Sequence, residues 1–167
     1  MALRDPDLRR TWLFGPGTDA RAHAAMAESG ADVLIVDLED FTPASRREKA
    51  RGALPELLRA WRDQGSITAV RINALEDDGP IDLAAAMTAG AEIIAYPMAA
   101  CAEQMHALDI AVTHWERVLK IPPAEWATHT ISDAAFGVPR SVPTRFSACQ
   151  AAPLSGSSTS NAGVRTR

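Results

Sequence analysis

The chain has only two cysteines, Cys101 and Cys149, a single tyrosine, and no apolar run near the ~18 residues that span a bilayer. Two widely separated thiols build no disulfide framework, and no His or Cys falls at zinc-type spacing, so a disulfide-stapled or zinc-ribbon domain is excluded. Basic runs are lacking too. With 17 Lys and Arg against 21 Asp and Glu, the net charge is -4 at pH 7, which argues against a nucleic-acid surface. The opening MALRDPDLRR holds no apolar core of a secretory leader, so a cytoplasmic protein without membrane association is expected. The last absence is local: no acidic residue follows Asp133. The final APLSGSSTSNAGVRTR has no hydrophobic period. Residues 134–167 are therefore expected to be a disordered, low-complexity or frame-altered tail, with 9–133 as the folded domain.

What is present is the composition of a globular domain, 47% hydrophobic and 23% charged. TWLFGPG reads as a strand closed by Gly-Pro-Gly. Asp19 caps a helix through Ser29 that Gly30 ends. DVLIVDLED is a second strand. Thr42 and Ser45 around Pro43 start a helix to about Asp63, closed by Gly65. SITAVRIN is a third strand, GPIDLAAAMTAG a shorter helix with Pro80 in its first turn, and AEIIAYPM a fourth strand. CAEQMHALDIAVTHWERVLK is an amphipathic helix stopped by Pro122-Pro123. Strand-helix units in succession, with continuously apolar strands, predict a parallel sheet covered on both faces. Two architectures remain open on the pattern alone: an open doubly wound sheet, or part of an eight-unit barrel.

One stretch breaks the apolar logic. Val33 to Val36 run directly into Asp37, Glu39 and Asp40. Clustered carboxylates repel one another and are costly to bury without partners, so a cation is required opposite them. Alternation puts Val33, Ile35, Asp37 and Glu39 on one face, and Ala69, Arg71 and Asn73 on one face of the third strand. Both sets carry their polar members at the C-terminal strand end, where parallel sheets bind ligands. Arg71 is thus a candidate partner for the acids and suits two-point contact with a substrate carboxylate. Pairing of the acids with the nearby Arg46, Arg47 and Lys49, or capping of the next helix, is the structural alternative.

RRTWLFGPG, ADVLIVDLEDFTPASRREKAR, VRIN and GAEIIAYPMAACAEQMHALD, in that order, resemble the citrate lyase beta-subunit group of the HpcH/HpaI aldolase family, which includes malyl-CoA and related acyl-CoA lyases. The resemblance implies the N-terminal half of a TIM (β/α)8 barrel, about four to five βα units. It also implies a Mg2+-dependent carbon-carbon lyase splitting a 3-hydroxyacyl-CoA of the malyl-CoA, citramalyl-CoA or citryl-CoA type into an acyl-CoA and a 2-oxo acid. On that match Arg71 stabilises carboxylate or enolate charge, with Asp37 and Glu39 as its catalytic neighbours. Asn73, Asp40 and the turn of Gly15, Pro16 and Gly17 line the substrate mouth. Asp133, in DAAFGV, takes the place of the family's metal-binding Glu, and Pro97-Met98-Ala99-Ala100 replaces a P-K-V-E type segment. With the later strands without counterpart, weak or absent activity is expected, along with a homo-oligomer. A non-catalytic half-barrel module is the second reading. A receiver-like domain accepting phosphate on Asp37 is the third.

Overall fold

The computed structural model describes residues 9–121 together with strand residues 127–132 and 146–150. Four strand-helix units come first: β1 (Trp12–Pro16), α1 (Ala20–Glu28), β2 (Val33–Asp37), α2 (Ala44–Asp63), β3 (Ile67–Arg71), α3 (Gly79–Thr88), β4 (Ile93–Pro97) and α4 (Ala102–Leu119). Strands β5 (Ala127–Ser132) and β6 (Phe146–Gln150) follow. All neighbouring strands are parallel and the sheet order is β1-β2-β3-β4-β5-β6. A strictly sequential order winds in one direction. It is the order of a barrel wall and lacks the reversal that defines a doubly wound sheet.

The core divides accordingly. Leu34, Val36, Leu38, Val70, Ile72, Ile94 and Tyr96 share one cluster with buried apolar residues from all four helices, including Met26, Leu54, Leu58, Trp61, Leu83 and Leu108. The opposite face holds a separate cluster of strand residues only: Val33, Ile35, Ile67, Ala69 and Ile93, flanked by Trp12 and Phe14. Strand register stacks this second face in rows. Trp12, Val33 and Ile67 form one row, and Phe14, Ile35, Ala69 and Ile93 the next. The third row runs Pro16, Asp37, Arg71 and Ala95. Two layers of apolar side chains thus support a charged one at the C-terminal end.

The helix boundaries follow local chemistry. The Asp19 carboxylate accepts the Arg21 and Ala22 backbone N–H groups at 2.9 and 3.0 Å, and Gly30, Gly65 and Gly90 all have positive φ past helix ends. At the opposite sheet end one device appears twice. Asp32 accepts the Thr11 N–H and hydroxyl at 3.1 and 2.9 Å, and Glu92 accepts the Thr68 N–H and hydroxyl at 2.9 and 3.1 Å. One expectation is corrected. Within 134–167, expected to lack structure, Phe146–Gln150 forms β6, paired from Phe146 to Gln150 against β5. Long-range ladder bonding there overrides a Ser- and Gly-rich context. Asp133 lies outside the described residues. Among the described residues no helix is long and apolar enough to cross a membrane.

Candidate active site

The answer to the clustered acids is Arg71. Asp37 and Arg71 end adjacent strands in direct register, which places both side chains on the same face. Arg71 Nε donates to Asp37 Oδ1 at 2.9 Å, and Nη2 donates to Asp37 Oδ2, a two-point contact with a carboxylate that is 0% exposed. Nη2 also donates to Asp40 Oδ2 at 2.9 Å. Nη1 lies 3.0 Å from Glu39 Oε2 but without hydrogen-bond alignment, so that buried oxygen has charge contact and no hydrogen bond. The guanidinium sits over the Phe14 ring, 5.3 Å from its centroid, which adds a cation–π contact from β1.

Burial alone would lower the Arg71 pKa, but the hydrogen bond to Asp37 and the charges of Asp37, Glu39 and Asp40 raise it instead. Glu39 moves the other way from an ordinary paired acid. Burial pushes its carboxyl up, and Arg71's pull downward does not offset burial plus repulsion from Asp40 and Asp37. With every group ionised, one positive charge faces three negative ones. Only the two Nη1 hydrogens of Arg71 lack a well-aligned protein acceptor among the described residues.

The other expected residues divide. Pro16 shares the row of Asp37 and Arg71. Gly15 and Gly17 serve a different purpose from the open mouth expected of them. A Cβ on Gly15 would run into Met26 of α1, and one on Gly17 would lie 2.5 Å from the Cβ of Ala50 in α2, so their smallness lets helices seat against the sheet. Asn73 does not join the cluster. The strand ends at Arg71, alternation lapses, and Asn73 is buried with its amide donating to the Leu38 carbonyl at 2.9 Å and to Asp82 at 2.6 Å. Arg47 reaches Asp78 at 3.3 Å and, at 3.5 Å, only the backbone oxygen of Glu39, so the local-pairing alternative does not account for the acids.

Two residues escaped the sequence reading. Thr42, expected as a helix-start signal, is fully buried. Its hydroxyl donates to the Asp37 carbonyl at 2.5 Å and accepts the Gly17 N–H at 2.8 Å, tying the ends of β1 and β2 together. Asp82, a lone acid in the apolar IDLAAAM of α3, is likewise 0% exposed; that isolation was the available signal. Beyond β4, the exposed Met98 has φ of 36°, a strained conformation for a long side chain at the same sheet end.

Among the described residues no group of three or more His, Cys, Asp or Glu side chains is arranged to hold a metal ion. Both oxygens of Asp37 are taken by Arg71, so the described residues do not by themselves fit a Mg2+ site. Asp37, buried and doubly bonded, offers no oxygen to a phosphoryl group, and the receiver-like reading fails on that geometry.

Sequential parallel strands alternating with helices, with a charged row at the C-terminal strand ends, make an α/β scaffold. The chain belongs to the HpcH/HpaI aldolase/citrate lyase family, whose model matches residues 10–132. The citrate lyase subunit beta of Leuconostoc mesenteroides is 31% identical over 143 residues, covering 84% of this chain and 47% of that protein. The L-malyl-CoA/beta-methylmalyl-CoA lyase of Cereibacter sphaeroides is 32% identical, covering 65% and 35%. Protein CitE of Mycobacterium tuberculosis, in complex with magnesium and acetate, superposes with a TM-score of 0.52 at 30% identity, covering 77% of this chain and 48% of that one. Haloferax volcanii malate synthase shares the fold at a TM-score of 0.66 and 15% identity, covering 80% of this chain and 44% of its own. The chain spans about half the length, or less, of the relatives it matches.

Proposed function

We propose that this chain forms the N-terminal half of a TIM-type barrel of a carbon-carbon lyase acting on a 3-hydroxyacyl-CoA. One observation carries the reading: Arg71 is held at two points by buried Asp37 at the C-terminal end of the sheet, while its Nη1 hydrogens meet Glu39 Oε2 only as an unaligned ion pair at 3.0 Å. Those hydrogens suit the carboxylate of a 2-oxo acid, or the oxygen that gains charge as the bond between the acyl-CoA and oxo-acid carbons breaks. Phe14 and Asp37 fix the guanidinium plane before the substrate arrives, so little reorganisation is needed in the transition state. An anionic substrate must enter beside three carboxylates. Glu39, whose carboxyl burial already favours in its neutral form, is the acid that gives way to it. The relatives named as citrate lyase beta and malyl-CoA lyases support the acyl-CoA substrate class, and the magnesium in the CitE complex supports adding Mg2+ to the assay. A cytoplasmic homo-oligomer completes the reading.

The test is cleavage of malyl-CoA, citramalyl-CoA and citryl-CoA by purified chain with Mg2+. We expect slow turnover that falls by roughly 10²-fold or more in Arg71→Ala, the scale of losing a charge-stabilising donor. No cleavage of any of the three, with no pyruvate or glyoxylate binding by calorimetry, would assign the chain to the non-catalytic module instead.

A further inference from the structure

Beside the Arg71 cluster lies a second polar network, in which Asp82 and Asn73 are buried and Arg51 is partly buried. Asp82 Oδ2 accepts two donors from one residue, the Asn73 backbone N–H at 3.0 Å and its Nδ2 at 2.6 Å. Asp82 Oδ1 accepts Arg51 Nη1 at 2.8 Å. The same Asn73 amide donates to the Leu38 carbonyl at 2.9 Å, and the Leu38 N–H donates to the Arg71 carbonyl at 2.9 Å. Leu38 is therefore gripped at both backbone groups by residues 71 and 73. Its chain neighbours are Asp37 and Glu39, the acids that meet Arg71.

We infer that Asp82 is a positioning residue: acting through Asn73, it fixes the 37–40 turn so that its carboxylates converge on the Arg71 guanidinium. The chemistry asks for a carboxylate. Three N–H donors meet at position 82, and an acid supplies acceptors only. An amide there would turn an NH2 against Arg51 or against Asn73 and leave a buried donor unpaired. The Arg51–Asp82 ion pair is of a kind commonly replaceable by apolar residues. The buried Asn73 N–H groups, however, need the acceptor that Asp82 supplies, so a loss of stability is expected beside any effect on Arg71, and the test must separate the two. The inference rests on the lyase reading only in naming Arg71 as the ligand-facing group.

The experiment reads Arg71 directly. In full chain labelled with 15N-arginine, the Arg71 Nε–H signal, identified by its loss in Arg71→Lys, reports the bond to Asp37 Oδ1. Asp82→Asn and the milder Asn73→Ala are each expected to speed exchange of that hydrogen with water about tenfold. Arg62→Ala is the control. It removes a 2.6 Å bond to the Gly90 carbonyl at the other end of α2 and lowers the melting temperature, but should leave Arg71 Nε–H exchange within about twofold of wild type. The inference is overturned if exchange is unchanged in Asn73→Ala, or if Arg62→Ala speeds it as much. Should Asp82→Asn not fold, Asn73→Ala against Arg62→Ala decides. Faster exchange in a chain without turnover keeps this inference and removes the lyase reading; turnover with unaltered exchange does the reverse.

Discussion

Arg71 brings one positive charge to three carboxylates, and the imbalance falls on Glu39, the member without a hydrogen bond at its buried oxygen. Its folded-state pKa is raised, so folding favours the protonated acid. That contribution is complete below the ordinary glutamate pKa and is lost as pH rises through the elevated value. At neutral pH the ionised Glu39 is then a burden on the fold. Glu39→Gln is expected to raise the melting temperature by about 1–2 °C at pH 7, a figure kept small by solvent screening, and to make no difference near pH 4. Thermal melts across that range check it; a destabilised Gln variant at pH 7 would show that charge pairing with Arg71 outweighs burial. The Asp37–Arg71 pairing was legible because strand alternation is a local rule and both residues stay within regular strands. Asn73 was misread because the rule was extended two residues past the last paired one. Thr42 looked like a cap because Thr before Pro usually is one, whereas its partners, Asp37 and Gly17, come from two other segments.

At the scale of elements, helix-on-sheet packing depends on which atom meets an added methyl group. Gly17 faces the Cβ of Ala50, fixed to the α2 backbone, while Gly15 faces the flexible end of Met26. Gly17→Ala should therefore cost about 2–3 kcal/mol, and Gly15→Ala under about 1 kcal/mol once Met26 swings aside. Urea unfolding of the two variants checks the order, and equal losses would mean that α1 is as rigidly seated as α2. All four strand-helix units could be read from hydrophobic period and glycine punctuation, and α2 continues through Pro55 as expected. The choice between barrel wall and doubly wound sheet could not be read. Each strand carries the same apolar pattern in both, and only the pairing of distant strands separates them. Strand β6 was missed for the same reason: Phe146–Gln150 is a strand by virtue of its partner.

At the scale of the molecule, the described residues form a sheet whose order runs from β1 to β6, with helices over one face and a strand-only cluster on the other. Sheet edges and half-covered aromatics such as Trp12 and Phe14 favour association. Light scattering should give a mass above that of the monomer that grows with concentration. A uniform monomer at every concentration would count against the homo-oligomer. The doubled acid hook at the base of the sheet has one more consequence. Gly30-Ala31-Asp32 leads into β2 and Gly90-Ala91-Glu92 into β4, each glycine with positive φ and each acid gripping a threonine on the preceding strand of the sheet, or just before it. The first four strands thus fall into two pairs, β1–β2 and β3–β4, each closed at its base by the same hook. Asp37 closes the first pair and Arg71 belongs to the second, so this ion pair spans a joint between two similarly built parts carried on one polypeptide.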